Sequence, residues 1–290
     1  TYVEGLKPVI DTDGKIHSSF NQTVTTTGRL SSTEPNLQNI PIKSEMGREI
    51  RKVFVPENDE CIILSADYSQ IELRVLAHIA DDENLISAFK HHSDIHTKTA
   101  SEVFKVPIEE VTPKMRSNAK AVNFGIVYGI GDFSLAKDIK VSRKEAKEYI
   151  ETYFERYPNV KKYLDDTIAK AKKDMYVTTI MNRRRIIPEI NSSNKMVRSF
   201  GERLAMNTPI QGSAADLIKL AMVNVYKRIK ELKLKSRLIL QVHDELILNV
   251  YKDELDTVKN MVKFEMEKAM ELKVPLEVDI KSGSTWYEAK

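Results

Sequence analysis

The stretch that decides the fold is residues 238–250, LILQVHDELILNV, where two apolar runs flank a short polar centre. Runs of this length that are rich in leucine, isoleucine and valine are typical of buried strands. The His243-Asp244-Glu245 centre is short enough for a tight turn. The stretch therefore predicts a β-hairpin with two adjacent acids at its turn. Asp244 is either a metal ligand or an ordinary solvent-exposed acid, and the residues alone leave both interpretations open.

A second apolar run lies earlier in the chain and also ends at a carboxylate. Residues 61–66, CIILSA, lead directly to Asp67, and residues 71–80 then show helical spacing. This order predicts a strand, a turn and a helix. Asp67 is either the N-cap of that helix or a rigidly held ligand for a hard divalent cation. Two carboxylates on adjacent strand ends could hold two ions about 4 Å apart, an arrangement that suits phosphoryl transfer.

The N-terminal part of the chain also has strand and loop patterns, and a long helical region follows. Asp13-Gly14 predicts a hairpin within residues 8–20. Residues 23–39 are polar and rich in serine and threonine, which predicts a loop. From residue 83 to about residue 196 the pattern is mostly helical.

The C-terminal part returns to strands after a further long helix. Ser142 and Glu145 form a capping-box pattern ahead of an amphipathic helix, and residues 216–234 predict another helix after Pro209. Asp253 can cap a helix that runs to about residue 272. A closing strand is predicted from alternating apolar residues, namely Leu276, Val278 and Ile280. Strands thus enclose a helical insertion, and we predict an α+β fold.

Length and composition limit the class of protein. The chain has 290 residues, 41% of them hydrophobic, which is enough to bury a sizeable core in about two domains. We expect a soluble, non-secreted chain, since no apolar run approaches 18 residues and the first residues lack a signal-peptide pattern. A single cysteine, Cys61, permits no intrachain disulfide and no cysteine-based zinc site.

Charge is unevenly distributed although the net charge is only +3. Residues 170–203 contain nine basic and three acidic residues. Such a strip would attract an anionic polymer through counterion release, or it is a solvated helix face with a basic turn.

Residues 116–129 carry the most distinctive helical pattern. Arg116, Lys120, Phe124 and Tyr128 recur every four residues and would lie along one stripe of a helix. Two cations followed by two aromatic rings suit a nucleoside triphosphate, because the cations neutralise phosphate oxygens and a ring stacks on any base. The competing interpretation is an amphipathic helix with its rings in the core.

Other catalytic patterns are weaker. His91, His92 and His96 have no cysteine or tight ligand spacing that supports a zinc site. A Ser-His-Asp hydrolase would need a Gly-x-Ser-x-Gly elbow, and the phosphate-binding loop of nucleotide-binding folds would need a glycine-rich pattern; the sequence contains neither.

Three stretches together resemble motifs A, B and C of bacterial family A DNA polymerases. They are DYSQIELR at residues 67–74, the run at residues 116–129, and QVHDE at residues 241–245. The resemblance covers essentially the whole chain, because three further stretches are also similar to the family: residues 26–41, 94–100 and 207–216.

The resemblance implies an antiparallel palm sheet with packed helices and a helical fingers insertion. The implied boundaries are residues 1–80 for the N-terminal palm with motif A, residues 81–195 for the fingers with the motif B helix, and residues 196–290 for the C-terminal palm with motif C. The thumb and exonuclease domains of the family would be missing. We therefore expect weak primer-template affinity and distributive synthesis.

The resemblance also implies the catalytic residues. Asp67 and Asp244 would bind two Mg²⁺ ions, with the backbone carbonyl of Tyr68 as a further ligand. Glu245 would be an auxiliary catalytic carboxylate, and Lys120 would donate a proton to the leaving pyrophosphate.

Substrate contacts are implied in the same way. Glu72 resembles the steric gate that disfavours a ribose 2′-hydroxyl. The implied dNTP-binding residues are Tyr68, Gln70, Glu72, His96, Arg116, Lys120, Phe124 and Tyr128. The implied DNA-binding residues are Arg29, Gln38, Lys43, Arg203, Asn207, Gln211 and His243. Lys43 stands where related sequences often have arginine, so a bidentate phosphate contact is not expected there.

The implied function is DNA-directed DNA synthesis in replication and repair, by a bacterial cytoplasmic, nucleoid-associated protein. Its partners would be primer-template DNA, dNTPs and a thumb-bearing segment. The alternatives are a palm-fingers piece that is inactive until a thumb-bearing chain docks, a metal-dependent nuclease with paired carboxylates, and an RNA-making relative.

Overall fold

The computed structural model describes residues 2–41, 45–92 and 94–290, without the side chains of Tyr2, Val3 and Met46. In these ranges the helices are α1 Tyr2–Gly5, α2 Glu45–Glu49, α3 Ile71–Ala80, α4 Glu83–Lys90, α5 Ile95–Phe104, α6 Pro113–Val127, α7 Asp132–Ile139, α8 Arg143–Arg156, α9 Pro158–Asp174, α10 Lys195–Glu231 and α11 Leu255–Glu267. The strands are β1 Ser19–Asn21, β2 Ser31–Thr33, β3 Cys61–Tyr68, β4 Tyr176–Thr178, β5 Arg184–Ile186, β6 Arg237–Val242, β7 Glu245–Tyr251 and β8 Val278–Gly283. This content confirms the α+β class.

The chain divides into two compact units. Unit 1 contains residues 1–69, 215–270 and 276–290, and unit 2 contains residues 70–214 and 271–275. The assignment of palm and fingers to residues 1–80, 81–195 and 196–290 stays a prediction.

Unit 1 is organised around a four-stranded antiparallel sheet in the order β6-β7-β3-β8. β3 lies between β7 and β8, which explains why its sequence reads as a nearly continuous apolar run rather than an alternating one. The hairpin predicted at residues 238–250 is confirmed as β6 and β7. The closing strand is confirmed as β8, and it pairs with β3.

A hydrophobic cluster in unit 1 includes residues of β3, β6 and β7. Trp286 is 1% exposed, and Ile63 on β3 and Ile247 on β7 are 2% and 1% exposed in the same cluster. The Trp286 and Phe54 rings are nearly perpendicular, with their centroids 5.4 Å apart. Burial of these large side chains fixes the sheet that carries the acids, since each contributes about 1.5–3 kcal/mol of transfer free energy.

Unit 2 is mostly helical. The strand, turn and helix predicted after residue 61 are confirmed as β3 and α3, and Gln70 at the N-cap of α3 has a left-handed φ of 55°. Asp67 is therefore a strand residue and not the N-cap of α3. Ser142 accepts from the backbone N–H of Glu145 and the Glu145 carboxylate accepts from that of Ser142, which confirms the capping box that begins α8.

Three details of the sequence prediction are wrong. The helix expected at residues 216–234 begins much earlier, at Lys195, and continues through Pro209. The hairpin expected around Asp13-Gly14 reduces to a single bridge between Ile10 and Ile16. Residues 23–39 include strand β2. The region from residue 83 to about residue 196 is mostly helical, as predicted, and contains one short hairpin, β4–β5.

The prediction for the helix after residue 253 is also wrong in its cap and its end. Glu254 occupies the N-cap of α11 with no side-chain capping bond, and the helix ends at Glu267. The carboxylate of Glu254 instead accepts the backbone N–H groups of Lys235 and Ser236, both at 2.9 Å. None of the helices among the described residues is long and apolar enough to cross a membrane.

Candidate active site

Asp67 lies near the end of β3 in a row of three acids that crosses the sheet of unit 1. Its register partners are Glu245 on β7 and Asp279 on β8. We call Asp279, Asp67 and Glu245 the carboxylate row. Burial raises the pKa of Asp67, and the negative charges of Glu245 and Asp279 add to that rise, whereas Lys290 opposes it. The row concentrates negative charge beside one strand end, where a cation would be stabilised.

Asp244 lies in the two-residue turn between β6 and β7, one ladder step from Asp67. The backbone N–H of Tyr68 donates to the carbonyl oxygen of Asp244 at 3.1 Å. His243, the other turn residue, has a left-handed φ of 55°, as tight hairpin turns require. The sheet thus brings together the two aspartates predicted from sequence: Asp67 lies in β3, and Asp244 lies in the turn that leads into the neighbouring strand β7.

Glu245 is held inside unit 1 by hydrogen bonds. Its side chain is buried, and Oε1 accepts from the Ser65 hydroxyl at 2.7 Å and from Trp286 Nε1 at 3.2 Å. Oε2 accepts from the ammonium group of Lys290. Lys290 Nζ also donates to Oδ2 of Asp67 at 3.1 Å. One ammonium group therefore bridges the buried acid and the predicted metal ligand.

Two cations, Lys290 and Arg51, lie near the negative charges of Asp67 and Glu245. Burial lowers the pKa of Lys290, but the carboxylates of Glu245 and Asp67 outweigh burial and the net shift is upward. Arg51 is 3% exposed, and its guanidinium carbon lies 4.1 Å from the centroid of the Trp286 ring. Within the described ranges, Nε and Nη1 of Arg51 have no hydrogen-bond partner. Arg51 contributes charge and stacking to the network around Glu245.

We expect Glu245→Gln to lower the free energy of unfolding by about 1–3 kcal/mol, because the donors of Ser65, Trp286 and Lys290 lose a charged acceptor. Urea titration followed by fluorescence measures this directly, since Trp286 is the one tryptophan of the chain. The control is Asp256→Asn at an exposed position of α11, which should change the value by less than about 0.5 kcal/mol. Equal values for the two variants would show that the buried network adds no stability.

The donor set fits a hard divalent cation. Asp67 and Asp244 offer carboxylate oxygens, and Tyr68 offers a backbone carbonyl. Within the described residues, no group of three His, Cys, Asp or Glu side chains could hold a metal ion. This is compatible with magnesium, which usually binds through one or two carboxylates and completes its shell with water and substrate phosphates. The Tyr68 ring is buried and its hydroxyl donates to the carbonyl of Met266 at 2.6 Å, so its side chain belongs to the core.

In unit 2, α6 carries the cation and aromatic stripe predicted from sequence. Arg116, Lys120 and Phe124 are helical, whereas Tyr128 lies at the C-cap. Arg116 Nε donates to Oδ2 of Asp94 at 2.6 Å. Burial alone would raise the pKa of Asp94. The hydrogen bonds that its carboxylate accepts from Arg116 and Thr97 outweigh burial and lower the pKa to about 2. Asp94 therefore remains ionised and restrains the Arg116 side chain.

His96 lies close to the same stripe. Its ring centroid is 5.9 Å from that of Phe124, and Lys120 Nζ lies 5.9 Å from the Phe124 centroid. Burial lowers the pKa of His96 to about 4; Asp94 opposes this shift, and Lys120 and Arg116 reinforce it. His96 is therefore neutral at pH 7.

The low pKa of His96 predicts a specific loss of stability in acid. An unfolded histidine has a pKa near 6.5, so between pH 6.5 and pH 4 the unfolded chain binds more protons and stability falls as pH falls. Between pH 7 and pH 4 the unfolding free energy of the natural chain should fall about 3 kcal/mol further than that of His96→Gln. Urea titration at each pH measures the difference. The control His17→Gln at an exposed position should follow the natural chain, and parallel curves for His96→Gln would contradict the prediction.

Glu72, the predicted gate, is also in unit 2. Its side chain is 5% exposed, and Oε2 accepts from the Tyr128 hydroxyl at 3.1 Å. Gln70, two residues earlier at the N-cap of α3, is half-buried. The structure thus joins the predicted gate to the last ring of the α6 stripe.

The predicted DNA-binding residues are divided between the units. In unit 1, Gln38 Nε2 donates to the side-chain oxygen of Gln241 at 3.0 Å, and burial lowers the pKa of His243 with help from the cation of Arg29. Lys43 lies outside the described residues. In unit 2, three predicted residues recur every four positions along one side of α10, namely Arg203, Asn207 and Gln211.

Gly129 explains how the end of α6 approaches α10 within unit 2. Its φ is +65°, and a Cβ at this position would lie 2.4 Å from Met206 Cε and 3.2 Å from Arg203 Cγ. Only glycine combines that backbone conformation with so close an approach.

The family model for DNA polymerase family A matches residues 1–288. The chain belongs to DNA polymerase family A. Two DNA polymerase I relatives, from Caldicellulosiruptor bescii and Bacillus caldotenax, are each 59% identical over 291 aligned residues. These alignments cover 100% of this chain but 34% and 33% of the relatives, so the chain spans about one third of their length.

Among solved structures, the POL domain of Pol1 from M. smegmatis is similar to this chain with a TM-score of 0.96 and 49% identity. The match covers 99% of this chain and 51% of that chain. That protein was solved in a complex with DNA primer-template and dNTP.

Several site residues of this family A chain carry no recognisable local sequence pattern. Lys290 and Arg51 are single cations outside any recognisable motif, and only strand pairing and the Trp286 cluster bring them together. Asn123 lies within residues 116–129, and no local pattern indicates a role for it, because its partners His96 and Thr99 are on another helix. Asp94 had a detectable pattern, because an Asp that precedes a helix is a common N-cap.

Proposed function

We propose that this chain is the catalytic portion of a DNA-directed DNA polymerase, which transfers a nucleotide from a dNTP to a primer 3′-hydroxyl and releases pyrophosphate. The observation that carries the proposal is the pairing of β3 with β7, which brings Asp67 within one ladder step of Asp244. Membership of family A and the cation and aromatic stripe on α6 support the same reaction.

Asp67, Asp244 and the carbonyl of Tyr68 would hold two Mg²⁺ ions. When bound, these ions lower the pKa of the primer hydroxyl and neutralise the developing charge on pyrophosphate. The aspartates must be ionised to act as ligands. Glu245 would keep Lys290 beside Asp67 while remaining buried, which makes it a support for the ligand set as well as the auxiliary carboxylate that the resemblance implies.

Unit 2 would bind the incoming nucleotide. Arg116 and Lys120 would neutralise the triphosphate oxygens, and Lys120 would pass a proton from Nζ to the leaving pyrophosphate. The Phe124 and Tyr128 rings would stack against the nascent base pair, which every base can do. Asp94 would keep Arg116 in place, so less side-chain entropy is lost when the triphosphate binds.

DNA would be bound without sequence preference. The polar residues Arg29, Gln38, Asn207, Gln211 and His243 can test base-pair shape through minor-groove acceptors that all pairs share. Arg203 and the basic residues 170–203 would contact the backbone. Partly engaged cations such as Lys172, which lies 2.7 Å from Glu202, contribute less to this attraction.

The second candidate is a polymerase portion that binds nucleotide but adds none until a separate thumb-bearing segment is present. The chain spans about one third of its relatives, so the activity named for those longer proteins does not distinguish the two candidates.

The test is incubation of a labelled primer on a DNA template with the chain, Mg²⁺ and all four dNTPs. The proposal predicts extension that requires dNTPs and template. Saturable dNTP binding without extension would favour the partner-dependent candidate. Shortening of the primer with release of nucleoside monophosphates would contradict both and identify a nuclease.

Glu72→Ala should raise the ratio of rNTP to dNTP incorporation by about tenfold or more, because it removes a buried side chain that would oppose a 2′-hydroxyl. Competition between rNTP and dNTP at one template position measures the ratio. Tyr128→Phe is the matched control, since it removes the hydrogen bond to Glu72 and keeps both bulky groups. Equal ratios for Glu72→Ala and the natural chain would exclude a gate at this residue.

A further inference from the structure

Asn123 on α6 and His96 on α5 form a buried polar contact in unit 2. Asn123 is 0% exposed and His96 is 3% exposed. Asn123 Nδ2 donates to His96 Nδ1 at 3.1 Å, and Asn123 Oδ1 accepts from the Thr99 hydroxyl at 3.2 Å. Asn123 Nδ2 also lies 3.2 Å from the Thr99 hydroxyl oxygen, so Thr99 can pair with either end of the amide. The amide direction therefore follows from the contact of Nδ2 with His96 Nδ1, and both ends of this buried amide have a partner.

The direction of the amide determines which histidine nitrogen carries the proton. A neutral imidazole has one N–H donor and one acceptor nitrogen. When Nδ1 accepts from Asn123, the proton must be on Nε2. The ring is neutral because burial lowers the pKa of His96 to about 4, with Asp94 opposing and Lys120 and Arg116 reinforcing the shift.

We propose that Asn123 is a positioning residue that fixes the Nε2–H tautomer of His96, so that His96 meets an anionic ligand as a neutral hydrogen-bond donor. With the triphosphate of a dNTP as the ligand, the proposal rests on the function proposed above. Arg116 and Lys120 would attract the triphosphate by their charge, whereas His96 Nε2–H would donate a directional hydrogen bond to one phosphate oxygen. The opposite tautomer would present a lone pair to that oxygen and repel it.

The direct test needs neither DNA nor nucleotide. Long-range ¹H–¹⁵N correlation spectra at pH 7.5 distinguish protonated from unprotonated ring nitrogens, and His96→Gln identifies the His96 signals. We expect a protonated Nε2 and an unprotonated Nδ1. A proton on His96 Nδ1 in the natural chain would by itself overturn the proposal.

Two variants test whether Asn123 is the cause. In Asn123→Asp, the carboxylate can only accept, so the proton should move to Nδ1 or the ring should become doubly protonated. The control is Val122→Ala, which opens space at a buried position of the same helix and keeps the amide. It should lower the melting temperature and leave the His96 nitrogen signals unchanged. Unchanged signals in Asn123→Asp would overturn the proposal.

Kinetics then connects the tautomer to substrate. When its spectra show the Nδ1–H tautomer, Asn123→Asp should raise the Michaelis constant for dTTP by about tenfold, as expected for loss of one hydrogen bond to a charged oxygen. A doubly protonated ring keeps Nε2–H and should not raise the constant. In the His96→Gln background the same change should have little further effect, because Asn123 acts through His96. If the effects of Asn123→Asp and His96→Gln on the Michaelis constant were additive, Asn123 would not act through His96 and the proposed positioning role would be overturned. The expected tautomer in a chain that extends no primer would support this inference and contradict the proposed function.

Discussion

Replacement of Asp67 or Asp244 by alanine is expected to lower the rate of nucleotide addition by about a thousandfold or more, with little change in primer-template affinity. Each carboxylate supplies an anionic oxygen to an ion that activates the primer hydroxyl or stabilises the leaving group, and such contributions are worth several kcal/mol. Rapid-quench measurement of a single addition gives the rate, and fluorescence anisotropy of a labelled duplex gives the affinity.

Asp279→Ala is the matched control for these variants. Asp279 lies opposite Asp67 on β8, is exposed, and belongs to the same carboxylate row. Its loss changes the local charge by one unit, as the other two substitutions do, but removes no predicted ligand. We expect its rate to stay within a few-fold of the natural chain. Comparable losses in all three variants would indicate that the total charge matters and would contradict a specific role for Asp67 and Asp244.

Lys120→Ala is expected to raise the Michaelis constant for dNTP and to lower turnover, each by about tenfold or more. The ammonium group would bind phosphate oxygens in the ground state and donate a proton as pyrophosphate leaves, so both constants should change. Steady-state kinetics on a primed template gives the two values.

Two further lysine variants separate the two roles. Lys120→Arg keeps the charge but cannot readily release a proton, because a guanidinium has a much higher pKa than an ammonium group. Its Michaelis constant for dNTP should be close to that of the natural chain, whereas its turnover should stay nearly as low as that of Lys120→Ala. Lys114→Ala removes the same charge from another face of α6 and should change neither constant. If Lys120→Ala kept the Michaelis constant and the turnover of the natural chain, the assignment of this stripe to triphosphate binding would be contradicted.

The parts of the fold that could be predicted are those with local patterns. The apolar runs of β3, β6 and β7 determine strands whatever their partners, and the four-residue spacing from Arg116 determines a helical stripe. The capping box at Ser142 needs only residues that are adjacent in sequence. These signals depend on local sequence, and each is confirmed in the structure.

The parts that could not be predicted depend on pairing between distant residues. Glu245 reads as a turn acid in sequence, but pairing of β7 with β3 and packing of Trp286 enclose it. Lys290 has no local pattern at all, because its role depends on reaching two carboxylates on different strands. Pro209 favours a helix boundary locally, but α10 continues through it. Asn123 becomes informative only when α5 lies beside α6.

Single-nucleotide addition on four templates that differ only in the first unpaired base tests the central claim most directly, with released pyrophosphate counted in the same reaction. We predict that the complementary nucleotide alone is added efficiently, with one pyrophosphate per addition, and that chelation of Mg²⁺ stops the reaction. Addition that ignores the template base, or primer shortening without pyrophosphate, would contradict the assignment of this chain as a DNA-directed DNA polymerase.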